Sequence, residues 1–351
     1  MRNESGGQRL GAGAFSLEPS ASVSDLSERA LIARIHARLP PAPDWMVVGV
    51  GDDAAVVEPV RNRLDVLSVD GVVDGVHFDR AFTPPAAIGH RALAVNLSDL
   101  AAMGAAPRLA LLSLALPPAL PLQDFDEMIA SVTRLAARWR MTVAGGNLTR
   151  IDGPLVLDVT VVGTVKRRQI LTRGGAQPGD ELYVTGTIGG AAAGLQMLQS
   201  TVDSRQSTVD SLIKRYLYPE PRLRLGMLVG RNRAATACMD VSDGLGEAVH
   251  QLAEASGVGA AIDAGALPID PGARHWFESR GQDATDASLA GGDDYELLLA
   301  VRPRCRRRLT AAERHGDAPL TRIGSCTADR TCVVRQDGAE RPLPRGFTHF
   351  R

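Results

Sequence analysis

The chain has 351 residues, 44% of them hydrophobic, and a formal net charge of -1. That length exceeds what one core usually supports, so two domains are expected, and a balanced charge without a basic block of the kind that neutralises a phosphate backbone argues against nucleic acid as the main partner. No apolar run approaches the roughly 20 residues that span a bilayer, and no charged region followed by a hydrophobic one opens the chain, so a cytoplasmic protein with no membrane partner is expected.

Residues 1–20 are rich in Gly, Ser and Ala without periodicity and read as a disordered leader. Asp25 followed by Glu28 resembles a helix cap, and Leu26, Leu31, Ile35 and Leu39 then keep near-helical spacing until Pro40 and Pro41. Residues 46–50 and 64–69 look like strands that run straight into acidic segments, placing Asp52, Asp53 and Asp70 at strand ends, where open α/β sheets bind ligands. Residues 90–105 read as a helix with Leu93, Leu97 and Leu100 on its apolar side and with Asn96 and Asp99 sharing a face. A strand at 108–117, an amphipathic helix at 124–140 and strands at 141–147 and 155–165 follow.

A change of composition near residue 170 marks a domain boundary, giving an N-terminal domain over 21–170 and a C-terminal one over 171–351. The second part repeats a strand, glycine-rich turn and helix at 181–198 and again at 240–257, with 199–211 read as an exposed loop.

The cysteines at 238, 305, 326 and 332 lack CxxC spacing, which supports neither a zinc site nor a disulfide framework. Lysine occurs only at 166 and 214, neither in the GxxxxGK[ST] pattern of a phosphate-cradling loop. A P-loop is thereby excluded, and any ATP chemistry must neutralise phosphate with metal ions and arginine.

Asp52, Asp53, Asp70, Asp99, Asp243, Asp293 and Asp294 fall in five short segments, 51–57, 68–78, 95–105, 241–245 and 291–299, and Asp240 directly precedes the fourth. Individually they fit helix caps and solvated turns. Together they suggest one polyanionic site. Carboxylates about 4 Å apart repel by roughly 4 kcal/mol at an effective dielectric of 20, and oxygen-only ligands suit magnesium carrying nucleotide phosphates. Asp240 and Asp243 straddle Ser242 at a strand-to-helix junction, where amides and the positive helix end attract anions; Ser242 both fits a cap and reaches a nucleotide.

The ordered set GDDAAVV, VNLSDLAAMGA, LTRGGAQPGD, DVSDGL and GGDDYELL, from about residue 26 onward, resembles the thiamine-monophosphate kinases, within the aminoimidazole-ribonucleotide synthetase-like superfamily. The resemblance implies an α/β (α+β type) two-domain fold, with N-terminal domains pairing into a β-barrel across a homodimer and a C-terminal α/β sandwich. It implies transfer of the γ-phosphoryl of ATP to thiamine monophosphate with several Mg2+ ions. It assigns Asp53, Ser68, Val69, Asp70, Asp99, Asn147, Asp240 and Asp243 to metal, Gly146, Asn147, Arg173 and Ser242 to ATP, and His77, Asp293 and Phe347 to thiamine monophosphate. No catalytic base is assigned.

Asn147 stands where the family often has a metal-binding Asp, and Val69 replaces a hydroxyl residue. The alternatives are another ATP-dependent synthetase of the superfamily or a nucleotide-binding paralogue without activity. A selenophosphate-type enzyme would need a reactive Cys in an N-terminal loop, and none precedes Cys238.

Overall fold

A computed structural model describes residues 21–200 and 207–348. The expected leader and residues 201–206 lie outside the described residues. The N-terminal half runs α1 (Glu28–His36), β1 (Met46–Val48), β2 (Val56–Val57), β3 (Leu64–Val73), α2 (Pro85–Ala102), β4 (Ala106–Leu116), α3 (Leu122–Arg138), β5 (Thr142–Arg150) and β6 (Val156–Val165). Ser27, not Asp25, caps α1 by accepting the Ala30 amide, while Asp25 closes a 3-10 turn onto Ser22.

Strands β3, β6, β4 and β5 form one sheet in that order, and only β4 and β5 run parallel, joined by α3 as a crossover. β3 does not stop at Val69. Each of its residues from Leu64 to Val73 pairs with β6, so Asp70 lies within the strand and the expectation that it marks a strand end is corrected. Alternation then places Ser68 and Asp70 on the face toward α2, and Leu67 and Val69, 70% and 58% exposed, on the other.

Helix α2 is buried on nearly every side, with 14 of its 18 residues out of solvent, because it packs at once on α3, the sheet and the C-terminal half. Leu93, Leu97 and Leu100 are fully buried, each contributing about 2 kcal/mol by removal from water. Close passage of the second half over α2 requires Gly226, where a Cβ would fall 2.1 Å from the Ala101 carbonyl oxygen.

The C-terminal half runs β7 (Glu181–Thr185), α4 (Gly190–Gln199), α5 (Ser207–Leu217), α6 (Leu223–Asn232), β8 (Ala237–Val241), α7 (Leu245–Ser256), β9 (Gly259–Asp263), α8 (Pro271–Glu278), α9 (Ala284–Ala290), β10 (Glu296–Val301), α10 (Arg306–Glu313), β11 (Leu320–Thr327), β12 (Cys332–Gln336) and β13 (Ala339–Pro342). Residues 207–211, expected in an exposed loop, instead open α5. The strands form a seven-stranded sheet in the order β13, β12, β9, β11, β7, β10, β8. β10 is buried on both faces: Leu298 and Ala300 pack toward α7, while Leu297, Leu299 and Val301 join a core that also holds α2 and α6. One continuous core therefore ties the halves together, and it fixes α2 against β8. Among the described residues, no helix is long and apolar enough to cross a membrane, and all four cysteines are free thiols.

Candidate active site

The contact between α2, β3 and β8 gathers the central acids. Asn96, wholly buried on α2, accepts the Asp70 amide at 2.9 Å and donates to the Asp70 carbonyl at 3.1 Å, locking β3 to the helix. One turn on, Asp99 accepts the Ser68 hydroxyl. Ser98 donates to Asp240 on β8 at 2.9 Å. Asn96 and Asp99 thus share the face expected of them, and α2 carries three consecutive constraints on two strands from different halves.

The electrostatics follow from that convergence. Burial, then the charges of Asp99, Asp243 and Asp158, lifts the Asp70 carboxyl to about 6. Burial, then Asp99, lifts Asp240 to about 7 against the opposing Ser98 hydrogen bond and the Arg173 charge. Asp99 is raised by burial, opposed by Ser68 and Arg173. Arg173 itself is exposed, bonds Gln251 at 3.0 Å and is the cation acting on both Asp99 and Asp240.

Because these carboxyls hold protons more tightly folded than unfolded, the folded chain binds more protons between their ordinary value of 3.8 and about 7. Stability therefore falls as pH rises through that window. His90, lowered from 6.5 by burial, acts in the opposite sense below that pH, so the slope is clearest above it. In chelator, the melting temperature is expected to drop by about one to two degrees from about pH 6.5 to about pH 7.5, with Mg2+ restoring it at the upper end. A flat profile, or no response to Mg2+, would contradict the acid cluster.

Among the described residues, no three His, Cys, Asp or Glu side chains stand close enough to share an ion. Asp99 and Asp240 instead accept the Ser68 and Ser98 hydroxyls. The donor set is nonetheless all oxygen and has raised proton affinity, which fits a hard divalent cation.

The remaining expected residues are placed differently. Asp53 lies on an exposed turn, its amide bonded to the Asp52 carboxylate, and it is not among the charges raising Asp70, Asp99 or Asp240. The cross-strand row Gly71, Asp158, Ser113 and Asn147 puts Asn147 on the sheet face of Val69, opposite the Asp70 side chain. A metal contact from Val69 would thus use its carbonyl. Asn147 donates to Thr149 at 2.9 Å, and Gly146 admits no side chain, since a Cβ would lie 1.9 Å from the Leu112 oxygen.

Asp293 and Asp294 diverge. Asp294 is buried and accepts the Gly189 and Ala191 amides that open α4, so the expectation that it joins the polyanionic set is corrected: helix-end amides hold it elsewhere. Asp293 pairs with Arg91 of α2, which is 3% exposed, and the Tyr295 hydroxyl reaches the same carboxylate at 3.4 Å. Both Asp293 (φ 71) and Tyr295 (φ 50) are left-handed, about 1–3 kcal/mol of strain for the bulky Tyr295, held because their amides bond Ser242 and Val241 carbonyls at 2.7 and 2.8 Å.

Ser242 and Asp243 form the turn into α7, whose first position is preceded by Gly244 with no side-chain cap. The capping reading of Ser242 is corrected, because φ 101 at Gly244 makes the glycine the boundary residue. The C-terminal tail crosses this turn, with the Phe347 amide on the Asp243 carbonyl at 3.0 Å and its ring 53% exposed. His77 sits in the turn after β3 and accepts the Val73 amide at Nδ1, 3.1 Å, which leaves the proton of the neutral ring on Nε2.

Sequence reasoning missed Ser98, Asp158 and Arg91. Ser98 beside Asp99 and the alternation around Asp158 were available as signals. The partner of Arg91 lies 202 residues away, which no local pattern reports.

Two α/β halves sharing a core, with acids at their contact, define a class. Residues 51–165 match the AIR synthase related protein, N-terminal domain, and residues 177–337 match its C-terminal domain. Thiamine-monophosphate kinase of Escherichia coli (strain K12) is 38% identical over 332 residues, covering 92% of this chain and 98% of its own length. The crystal structure of thiamine-monophosphate kinase from Stenotrophomonas maltophilia K279a is 39% identical, covers 90% of this chain and 98% of that one, and superposes with a TM-score of 0.78. AaThiL complexed with AMPPCP and TMP is 30% identical, covers 96% and 100%, and has a TM-score of 0.74. Within the AIR synthase-related class, the chain belongs to the thiamine-monophosphate kinase family.

Proposed function

We infer that the chain phosphorylates thiamine monophosphate with ATP, releasing thiamine diphosphate and ADP, by direct in-line transfer. A terminal phosphate oxygen of thiamine monophosphate forms a bond to the γ-phosphorus as the bond from that phosphorus to the β,γ-bridging oxygen breaks, and ADP carries away the electron pair. The observation that supports this reading is that α2 bonds β3 through Asn96 and Asp99 and bonds Asp240 of β8 through Ser98, which brings Asp70, Asp99 and Asp240 into one neighbourhood.

Asp70, Asp99, Asp240 and Asp243, with Asp53 and the Ser68 hydroxyl, would hold Mg2+, while Val69 and Asn147 offer only neutral oxygens. Bound Mg2+ supplies neutralisation of the phosphate charge. Arg173, the Ser242 turn at the start of α7 and Gly146 receive the nucleotide, whereas the Asn147 side chain, on the sheet face opposite Asp70, stands apart from that group. His77, with its donor at Nε2, Asp293, held by Arg91, and the exposed Phe347 ring receive thiamine monophosphate.

The division at about residue 170 belongs to the same reading, as do a cytoplasmic location and a homodimer. The exposed sheet face of Leu67, Val69 and Leu111 supports pairing of two N-terminal sheets.

An ADP-release assay should show Mg2+-dependent turnover that requires thiamine monophosphate. Nucleotide binding without such turnover would identify a paralogue lacking the activity. In the same assay, Gly346→Ala should raise KM for thiamine monophosphate about tenfold with little change for ATP. A Cβ there would fall 1.8 Å from the Asp243 oxygen, so the tail carrying Phe347 must lift. Equal KM values in variant and parent would remove Phe347 from the acceptor site.

A further inference from the structure

At the far end of the strands that carry the acids lies a cavity of about 560 Å³, ringed by Arg233, Arg302, Arg304 and Arg308 over a floor of small and apolar residues that includes Ala234, Ala235 and Cys305. It opens at the start of β8 and the end of β10, whereas Asp240, Ser242 and Asp293 sit at the opposite ends of those strands. Five residues of extended chain put the two sites about 15 Å apart.

Four separate segments supply the arginines. Arg233 ends α6 in the left-handed conformation, φ 50; Arg302 follows β10; Arg304 and Arg308 come from the 3-10 turn before α10 and from α10 itself. Among the described residues none of the four forms an ion pair, although their neighbours Arg306 and Arg322 both close on Glu181. No carboxylate lines the cavity, and Nε of Arg302 is buried there without a hydrogen-bond partner.

Guanidinium groups around one cavity that has no carboxylate in its lining are open to an entering anion. Their planar forks match phosphate oxygens two at a time, and they are more weakly hydrated than an ammonium. The volume suits a small organic phosphate rather than a single inorganic ion. We propose that this cavity is a second anion site, independent of metal, which takes a small polyphosphate-bearing molecule of the nucleoside di- or triphosphate class. Gly175 closes the strap that begins at Arg173, so an occupant touches the segment that also serves the acid-lined site.

Isothermal titration of inorganic tripolyphosphate into the full chain, in chelator so that the acid-lined site repels the anion, is expected to show one saturable site. Arg302→Ala combined with Arg304→Ala should weaken it about tenfold or more. Arg304→Glu with Arg308→Glu, which alter exposed side chains, should abolish binding while the melting temperature and ADP release stay at parental values. Asp99→Asn should leave binding intact. Absence of saturable binding to the parent chain, or binding lost in Asp99→Asn and retained in both arginine variants, would overturn the proposal.

Discussion

Asp99→Asn is expected to lower kcat roughly 10²- to 10³-fold while leaving the protein at least as stable as its parent. The two effects share one cause. Asp99 stands between β3 and β8, and its charge raises both Asp70 and Asp240. Removing it relieves repulsion that folding would otherwise have to sustain, and the isosteric amide still accepts the Ser68 hydroxyl. The same removal strips a full charge from the proposed magnesium site, where one preorganised electrostatic group is commonly worth the stated factor. Measured kcat by ADP release together with a thermal melt decides the matter. Near-parental turnover would exclude Asp99 from the metal site, and a large loss of stability would mean that the side chain serves mainly to hold the fold.

Arg91→Met should destabilise the protein by about 3–5 kcal/mol, the usual consequence of removing one partner from a buried ion pair. The guanidinium is 3% exposed, donates to the Tyr216 carbonyl at 2.9 Å, lies 4.7 Å from the Tyr216 ring centroid and pairs with Asp293. It therefore joins α2, α5 and the loop before β10. Adding Asp293→Asn to Arg91→Met should recover part of the loss, because the stranded carboxylate is then neutral. Urea denaturation of the parent, both single variants and the double variant closes the cycle. Purely additive effects would show that the two side chains do not depend on each other. In a preparation that still folds, KM for thiamine monophosphate should rise more than KM for ATP, since Asp293 loses the contact that aims it.

Much of the fold was legible because its periodicities are local. The β4 and β6 strands, the amphipathic α3 and the helix around Asn96 and Asp99 all sit where alternation or helical spacing puts them. Boundaries failed where a long-range partner decided them: β3 continues past Asp70 because β6 is there to pair with it, and α1 starts late because Ser27 outcompetes Asp25 as a cap. The site shows the same division. Local acid and glycine patterns marked Asp70, Asp99 and Asp240, but not that Ser98 and Asn96 would orient them from one helix. Nor could adjacency reveal that Asp293 and Asp294 go to different partners, which depends on the left-handed backbone around them and on the end of α4. The sheet face of Asn147 follows from cross-strand register, which a single chain of letters does not contain.

The most direct test is a crystal structure of the protein with Mg2+, a non-hydrolysable ATP analogue and thiamine monophosphate. Carboxylate oxygens of Asp70, Asp99 and Asp240 are expected at about 2.1 Å from metal ions that also touch the triphosphate. Metal and nucleotide bound elsewhere, with Asp99 and Asp240 still bonded only to Ser68 and Ser98, would contradict it.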